Sequence, residues 1–331
     1  MKKISRLIFV AVVTTALAIL IHNTFLLNDH RSTSSDQKVQ VLIEPGDTGY
    51  TISIKLEESD VIKAAKVFYK IALNDRRAKS IAPGVHEIDR EISSRSALEQ
   101  LLDSKRILGV FGFPEGLRKS EIFELLSKSQ SVTGKFSNKI YPNSIYKTKQ
   151  IEGFLFPAQY SFLPGTTFDQ AIEQMLKRFN FAANESKIDQ GYLNFSPYEL
   201  LIIASLVQSE GDPEDFSKIS RVIYNRLKIG MPLQINATID YALNLRGDIR
   251  LPYKRLETDS KYNTYKFRGL PPGPISNPGQ DALDATVNPM SGDWLYYVTV
   301  KPGDTRFTKS YEEFLGWANE FRKSERDGLF E

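Results

Sequence analysis

The chain has 331 residues, 43 Lys and Arg against 40 Asp and Glu, three His and no Cys. Without cysteine there is no disulfide frame, no thiolate nucleophile and no Cys-based zinc or iron–sulfur site. His22 and His30 lie in or beside an apolar N-terminal stretch, so a Ser-type triad would have to use His86, and neither a metal nor a cofactor is expected. A net charge of +3 is small for this length and gives no footprint for nucleic acid, while 41% hydrophobic and 25% charged residues suit a globular protein of roughly two domains.

Lys2, Lys3 and Arg6 precede residues 7–27, which contain no Asp, Glu, Lys or Arg. That stretch is long enough to span the hydrocarbon core of a bilayer as one helix. Positive charge before it and the bulk of the chain after it predict a cytoplasmic tail at 1–6, a transmembrane anchor at 7–27 and export of the rest. The rival is a cleaved signal peptide ending at the small-x-small sequence Ala16-Leu17-Ala18, but that cut would leave Ile19-Leu20-Ile21 as an apolar N-terminus. The expected site of action is the outer face of the plasma membrane, and so short a tail favours an inner membrane facing a periplasm. Residues 28–38 are polar and small and read as a tether.

A first domain is expected over 39–105. Val39-Gln40-Val41-Leu42-Ile43 has strand character, Glu44-Pro45-Gly46-Asp47-Thr48 reads as a turn, and Ile52, Ile54, Leu56, Val61 and Ile62 continue as a helical pattern. A second helix runs from Lys63 to about Leu73, Gly84-Val85-His86-Glu87-Ile88 is a return strand, and residues 94–102 form an amphipathic helix. The result is a small α+β unit. A strand, "PGDT" and a helix also resemble a LysM-like module, a class that binds glycan chains; a plain packing domain with a common turn is the alternative.

The second domain is expected over 106–331. Residues 106–113 read as an apolar strand leading into a helix that starts at Lys119, and 127–149 as a polar surface excursion. Glu152-Gly153-Phe154-Leu155-Phe156-Pro157 is either a shaped turn lining a cleft or a plain buried strand, the residue types favouring the strand. Ser196-Pro197-Tyr198-Glu199 is a capping box that launches eight uncharged residues, so the helix over 197–210 is buried nearly all round until Gly211 and Pro213 stop it. Glu210 then falls on its last turn. There the negative end of the macrodipole and desolvation both raise a carboxyl pKa, the property a general acid needs; a solvent-facing Glu on a frayed end is the ordinary alternative.

A helix after Asp212 carries Ile219, Val222, Ile223 and Leu227 on one face, with Arg221 and Arg226 mainly off it, as anion ligands or, more commonly, solvated surface charges. Seven of the eleven residues 269–279 are Gly or Pro, a stiff loop that, beside Tyr262-Asn263-Thr264-Tyr265, suits a sugar site or serves as a connector. Residues 281–287 read as a short helix, 294–300 as an aromatic strand and 311–321 as a terminal helix.

Taken in order, Glu152-Gly-Phe-Leu-Phe-Pro, Ala204-Ser205-Leu206-Val207-Gln208-Ser209-Glu210, Asn225-Arg226-Leu227 with Gly230-Met231-Pro232-Leu233-Gln234, and Tyr262-Asn263-Thr264-Tyr265 with Gly269-Leu270-Pro271-Pro272-Gly273-Pro274-Ile275 resemble the MltG (YceG-like) endolytic murein transglycosylases. The resemblance covers roughly 39–325. It implies an α+β protein with one N-terminal transmembrane helix, a LysM-like domain and a larger mixed α/β catalytic domain. The implied activity is non-hydrolytic cleavage of the MurNAc–GlcNAc bond within nascent peptidoglycan strands. The strand is left with a 1,6-anhydro-MurNAc end, in company with peptidoglycan synthases or a division or elongation complex. The family's catalytic glutamate falls on Glu210, with Gln234, Asn236, Tyr262, Asn263 and Tyr265 as substrate-positioning candidates. Glu152 is a candidate to orient substrate, to stabilise an oxocarbenium-like state or to compete as the acid. The chain departs from the family at Gln208, where the family's first carboxylate stands, at Ala158-Gln159 in place of Asp-Thr, and at Asn236-Ala237 in place of Asp-Pro. A membrane-anchored scaffold that binds glycan without cutting it is the competing function.

Overall fold

The computed structural model describes residues 14–15, 29–246 and 253–330. The expected tail at 1–6 and anchor at 7–27, Thr14 and Thr15 aside, lie outside the described residues, among which no helix is long and apolar enough to cross a membrane. The chain divides into two compact units, Met1–Phe111 with Gln159–Gly165, and Gly112–Ala158 with Thr166–Glu331.

In the first unit, β1 (Lys38–Ile43), α1 (Gly49–Glu58), α2 (Ala65–Asn74), β2 (Gly84–Asp89), α3 (Ser94–Leu102) and β3 (Ile107–Leu108) follow in order. The sheet order is β1-β2-β3, antiparallel throughout, with Val41 opposite His86 and His86 opposite Ile107. Alternation along β1 sends Val41 and Ile43 into a core with Leu56, Phe68, Ile88 and Leu98, while Leu42 faces out. Thr48 caps α1 by accepting from the Thr51 amide, as the "PGDT" turn anticipates. His86 is fully buried and its Nε2 donates to the Ala82 carbonyl, which places it in the packing of this unit.

Three expectations change here. The expected tether is bonded down from Asp29 onward: the Asp29 carboxylate accepts from the Ser94 amide and hydroxyl, and Ser32 and Gln37 carbonyls accept from Ser93 and Arg90. A helix N-terminus with unpaired N–H groups is a natural dock for that carboxylate. The strand expected over 106–113 splits at Gly109, whose φ of +60° and close approach to the Phe162 carbonyl leave no room for a Cβ. Because β3 before that break extends the first sheet, the boundary drawn at 105/106 moves to Phe111.

The second unit contains α4 (Lys119–Lys128), α5 (Phe168–Ser186), α6 (Pro197–Gln208), α7 (Phe216–Lys228), α8 (Asn236–Ala242), α9 (Gln280–Val287), the hairpin β4 (Tyr296–Lys301) and β5 (Asp304–Thr308), and α10 (Tyr311–Arg326). Helix α6 is its axis: Leu200 through Val207 are all buried, and the Ser196–Glu199 capping box forms as the sequence requires. The segment from Glu152 to Pro157 is buried but is a turn and not a strand; Gly153 takes φ +88° with Pro274 pressed so close that a Cβ would clash. The Gly/Pro loop is likewise an internal fastener more than a sugar platform. Ile275 donates to Ser205 Oγ, Ser276 to the Ser205 carbonyl, Asn277 to the Leu117 carbonyl and Gly279 to Gln208 Oε1, so its residues supply the polar partners a buried loop must find.

Candidate active site

Glu210 lies two residues beyond α6, which ends at Gln208 with Ser209 as its cap, so the helix is two residues shorter than the 197–210 expected. The Glu210 amide still bonds the Val207 carbonyl, which carries the chain on in the direction of the helix and delivers the carboxyl to the wall of two open clefts. The larger, of about 640 Å³, is bounded by Arg226, Gln234, Tyr265, Tyr297 and one side of α10. The smaller, of about 480 Å³, is bounded by Glu115, Arg118, Gln208, Asp240 and Arg246. Glu210 and Asn236 are the two residues that line both.

Protein atoms crowd the Glu210 carboxyl although its edge stays open to the clefts. Burial pushes its pKa up to about 7, against the opposing pull of a hydrogen bond from the Tyr297 hydroxyl and the charge of Arg226. Burial therefore outweighs both the hydrogen bond and the charge, and the group is poised between acid and base near neutral pH. Tyr297 is itself held far above the ordinary phenol range by burial and the adjacent carboxylate, so it stays a donor.

The expectation of a surface Arg226 is overturned. It is 8% exposed, its Nε donates to the Leu295 carbonyl at 2.7 Å and Nη1 to the Leu233 carbonyl at 2.6 Å, and its guanidinium lies over the Tyr296 ring at 5.6 Å. Position 226 stands seven residues after the buried Ile219, two helical turns on, so the helical period did place it near the apolar face. Tyr297 gave less warning: in sequence it is one aromatic in a strand, and the fold of the hairpin alone aims it at Glu210.

Of the substrate-positioning candidates, three gather here. Gln234 is exposed in the larger cleft with φ +52°, its amide fixed to the Thr264 carbonyl while the Ile235 amide bonds Thr264 Oγ1. Asn236 Oδ1 accepts from the Tyr265 hydroxyl at 2.6 Å, and burial beside the Glu210 charge lifts Tyr265 to about 12. The Nδ2 of Asn236 makes no hydrogen bond among the described residues, so its NH2 group keeps both N–H donors for a ligand.

The other three are elsewhere. Asn263 is fully buried, its Nδ2 donating to the Leu256 and Thr258 carbonyls and its Oδ1 accepting from the Tyr265 amide, which makes it a brace for the loop that presents Tyr265. Tyr262 packs on Tyr241 with ring centroids 4.9 Å apart and lines neither cleft. Glu152 is buried too; it accepts from the Lys119 amide at 2.8 Å, Asn277 Nδ2 at 3.0 Å and the Tyr241 hydroxyl at 3.2 Å. Its carboxylate serves the N-terminus of α4, and burial raises its pKa without giving it access to either cleft.

The sequence profile of the YceG-like family matches residues 41–320. The chain belongs to the YceG-like family. Among its relatives, the endolytic murein transglycosylase of Bacillus subtilis strain 168 is 30% identical over 307 residues, covering 84% of this chain and 83% of the relative. The endolytic murein transglycosylase of Streptococcus pneumoniae serotype 2 strain D39 is 29% identical over 326 residues, covering 85% of this chain and 58% of that longer relative. The crystal structure of a YceG-like protein from Listeria monocytogenes aligns with a TM-score of 0.56 at 27% identity, covering 85% of this chain and 99% of that one. This YceG-like chain therefore has a mixed α/β fold in common with that YceG-like structure.

Proposed function

We propose that this YceG-like protein is an endolytic peptidoglycan transglycosylase, a lyase that cuts the MurNAc–GlcNAc bond within a glycan strand and leaves a 1,6-anhydro-MurNAc end. The observation that carries the reading is the position of Glu210 where two open clefts meet, with its pKa raised to about 7. A strand can lie across that junction with sugars on both sides of the acid, which internal cutting requires. Relatives named endolytic murein transglycosylase support the substrate class.

Protonated Glu210 gives its proton to the glycosidic oxygen as the C1–O bond breaks. The C6 hydroxyl of the same MurNAc attacks C1 in place of water, and its proton passes to the now ionised Glu210, which restores the acid. One carboxyl thus serves both steps, because the nucleophile is already tethered to the reacting centre. Hydrolytic glycosidases need a second carboxylate for water or for covalent attack. Among the described residues Glu210 is the one acidic side chain that lines the larger cleft, Glu115 and Asp240 lining the smaller one, and Asn236, an amide that takes no proton, lines both with it. Gln234, Asn236 and Tyr265 are the groups placed to hold sugar hydroxyls.

The same reading makes residues 7–27 a single-pass anchor in the plasma membrane and everything after them extracytoplasmic, beside peptidoglycan synthases. The strand–helix–helix–strand order of β1, α1, α2 and β2 supports a LysM-like glycan-holding role for the first unit.

Full-length protein incubated with uncrosslinked glycan strands is expected to generate anhydro ends by muropeptide mass analysis, and Glu210→Gln to stop this while strands still bind. Anhydro ends from Glu210→Gln, or reducing MurNAc ends from the unsubstituted protein, would sink the proposal; binding without any cutting would favour a glycan-holding scaffold.

A further inference from the structure

The smaller cleft holds a charge that the reaction so far leaves unused. Arg118, the residue before α4, is 5% exposed, yet among the described residues its guanidinium makes no hydrogen bond and no ion pair. Its Nε is buried without a partner, and the guanidinium carbon lies 5.2 Å from the centre of the Tyr241 ring. The two carboxylates that act on it are engaged elsewhere: Glu121 binds the Arg246 guanidinium and the Arg118 amide, and Glu152 binds Lys119, Asn277 and Tyr241. Arg246, the other arginine of this cleft, is paired with Glu121 and adds repulsion to Arg118.

Burying a cation without a counter-ion is costly, and proteins offset that cost with a paired charge or with a ligand that supplies one. A planar guanidinium backed by an aromatic face is suited to grip a carboxylate through two parallel N–H bonds. We propose that Arg118 is a carboxylate-binding residue that holds an anionic substituent of the glycan strand in the cleft on one side of Glu210. This rests on the peptidoglycan reading above. In such a strand the carboxylate is carried by the muramyl side chain, either the lactyl carboxyl itself where the peptide is absent or the free carboxyls of an attached peptide. Held there, it fixes which sugar ring sits over the acid, so a neutral glycan of the same backbone is a poorer substrate.

The test uses the full-length protein and three uncrosslinked strand preparations: peptide-free strands with lactyl carboxylates, peptide-bearing strands, and peptide-bearing strands whose carboxyls have been converted to amides. The wild type is expected to lose on the order of tenfold in kcat/KM on the amidated strands, the size of one lost charge-assisted pair. The arm that keeps the full rate identifies the source of the carboxylate. Arg118→Gln is expected to fall to the amidated-strand level on every preparation and to ignore amidation, through KM more than kcat. Arg118→Lys, which keeps the charge but not the fork, is read alongside, with thermal melting to verify folding. Equal wild-type rates on carboxylate and amidated strands overturn the proposal without any variant, and so does discrimination that survives in Arg118→Gln. If the wild type cuts none of the strands, the proposed activity fails, while calorimetric binding of the same three preparations still reads the carboxylate preference.

Discussion

The Tyr297 hydroxyl donates its hydrogen bond to Oε2 of Glu210, joining a hairpin strand near the C-terminus to the end of the buried helix α6. That bond stabilises the ionised form and holds the acid's pKa lower than burial alone would set it. Tyr297→Phe is therefore expected to move the alkaline limb of the kcat/KM profile upward, with a several-fold loss of rate as the carboxyl loses its orientation. An alkaline limb that stays in place would show that the limb belongs to another group.

Glu210 also makes the fold pH-sensitive. Its pKa rises from an ordinary 4.5 to about 7 on folding, so the folded state holds the proton over a range where the unfolded chain releases it. The associated stability is complete below about pH 4.5 and is lost as pH rises through 7. Glu210→Gln removes the dependence. The variant is expected to exceed the wild type by on the order of 2–3 kcal/mol at about pH 8, with the gap closing below about pH 5, as read by urea unfolding at both pH values.

Arg226 anchors the Leu233 and Leu295 carbonyls across the larger cleft. Arg226→Met strands both acceptors and removes the cation that favours ionised Glu210, so a loss of about 2–4 kcal/mol in stability and an upward shift of the alkaline limb are expected together. A stable variant with a normal pH profile would mean that neither contact matters.

Asn236 stands at the junction of the clefts as an amide. Asn236→Asp places a carboxylate in the larger cleft, where Glu210 is otherwise the one acidic side chain among the described residues, and reducing MurNAc ends from activated water are expected to appear among the products. It also adds like charge beside Glu210, which raises the acid further. Products that remain entirely anhydro would show that water has no path to the anomeric carbon.

Asn263 is assigned to the scaffold because its amide is spent on three backbone groups. Asn263→Ala is expected to cost about 2–3 kcal/mol. It should lower the melting temperature while leaving the KM of the folded fraction close to normal; a KM effect without loss of stability would return it to the binding site.

Much of this protein follows from sequence pattern alone. The capping box at Ser196, the uncharged run of α6, the alternation along β1 and the "PGDT" turn are local rules of helix and strand, and they put Glu210 at the end of a buried helix with a raised pKa. The strand–helix–helix–strand order of the first unit was legible for the same reason. What pattern could not supply is convergence from afar. Tyr297 is 87 residues from its carboxylate partner, and Asn236 meets Tyr265 across 29. Tertiary packing also separated candidates that look alike in sequence: in Tyr262-Asn263-Thr264-Tyr265 only Tyr265 reaches the cleft, because one neighbour braces the loop, one clamps Gln234 and one packs on Tyr241. Residue type and spacing placed the Glu210 carboxyl at the end of a buried helix. Which groups tune it, and which merely hold the walls apart, was decided by long-range packing, where a polar side chain is assigned its role by whichever buried partner it must satisfy.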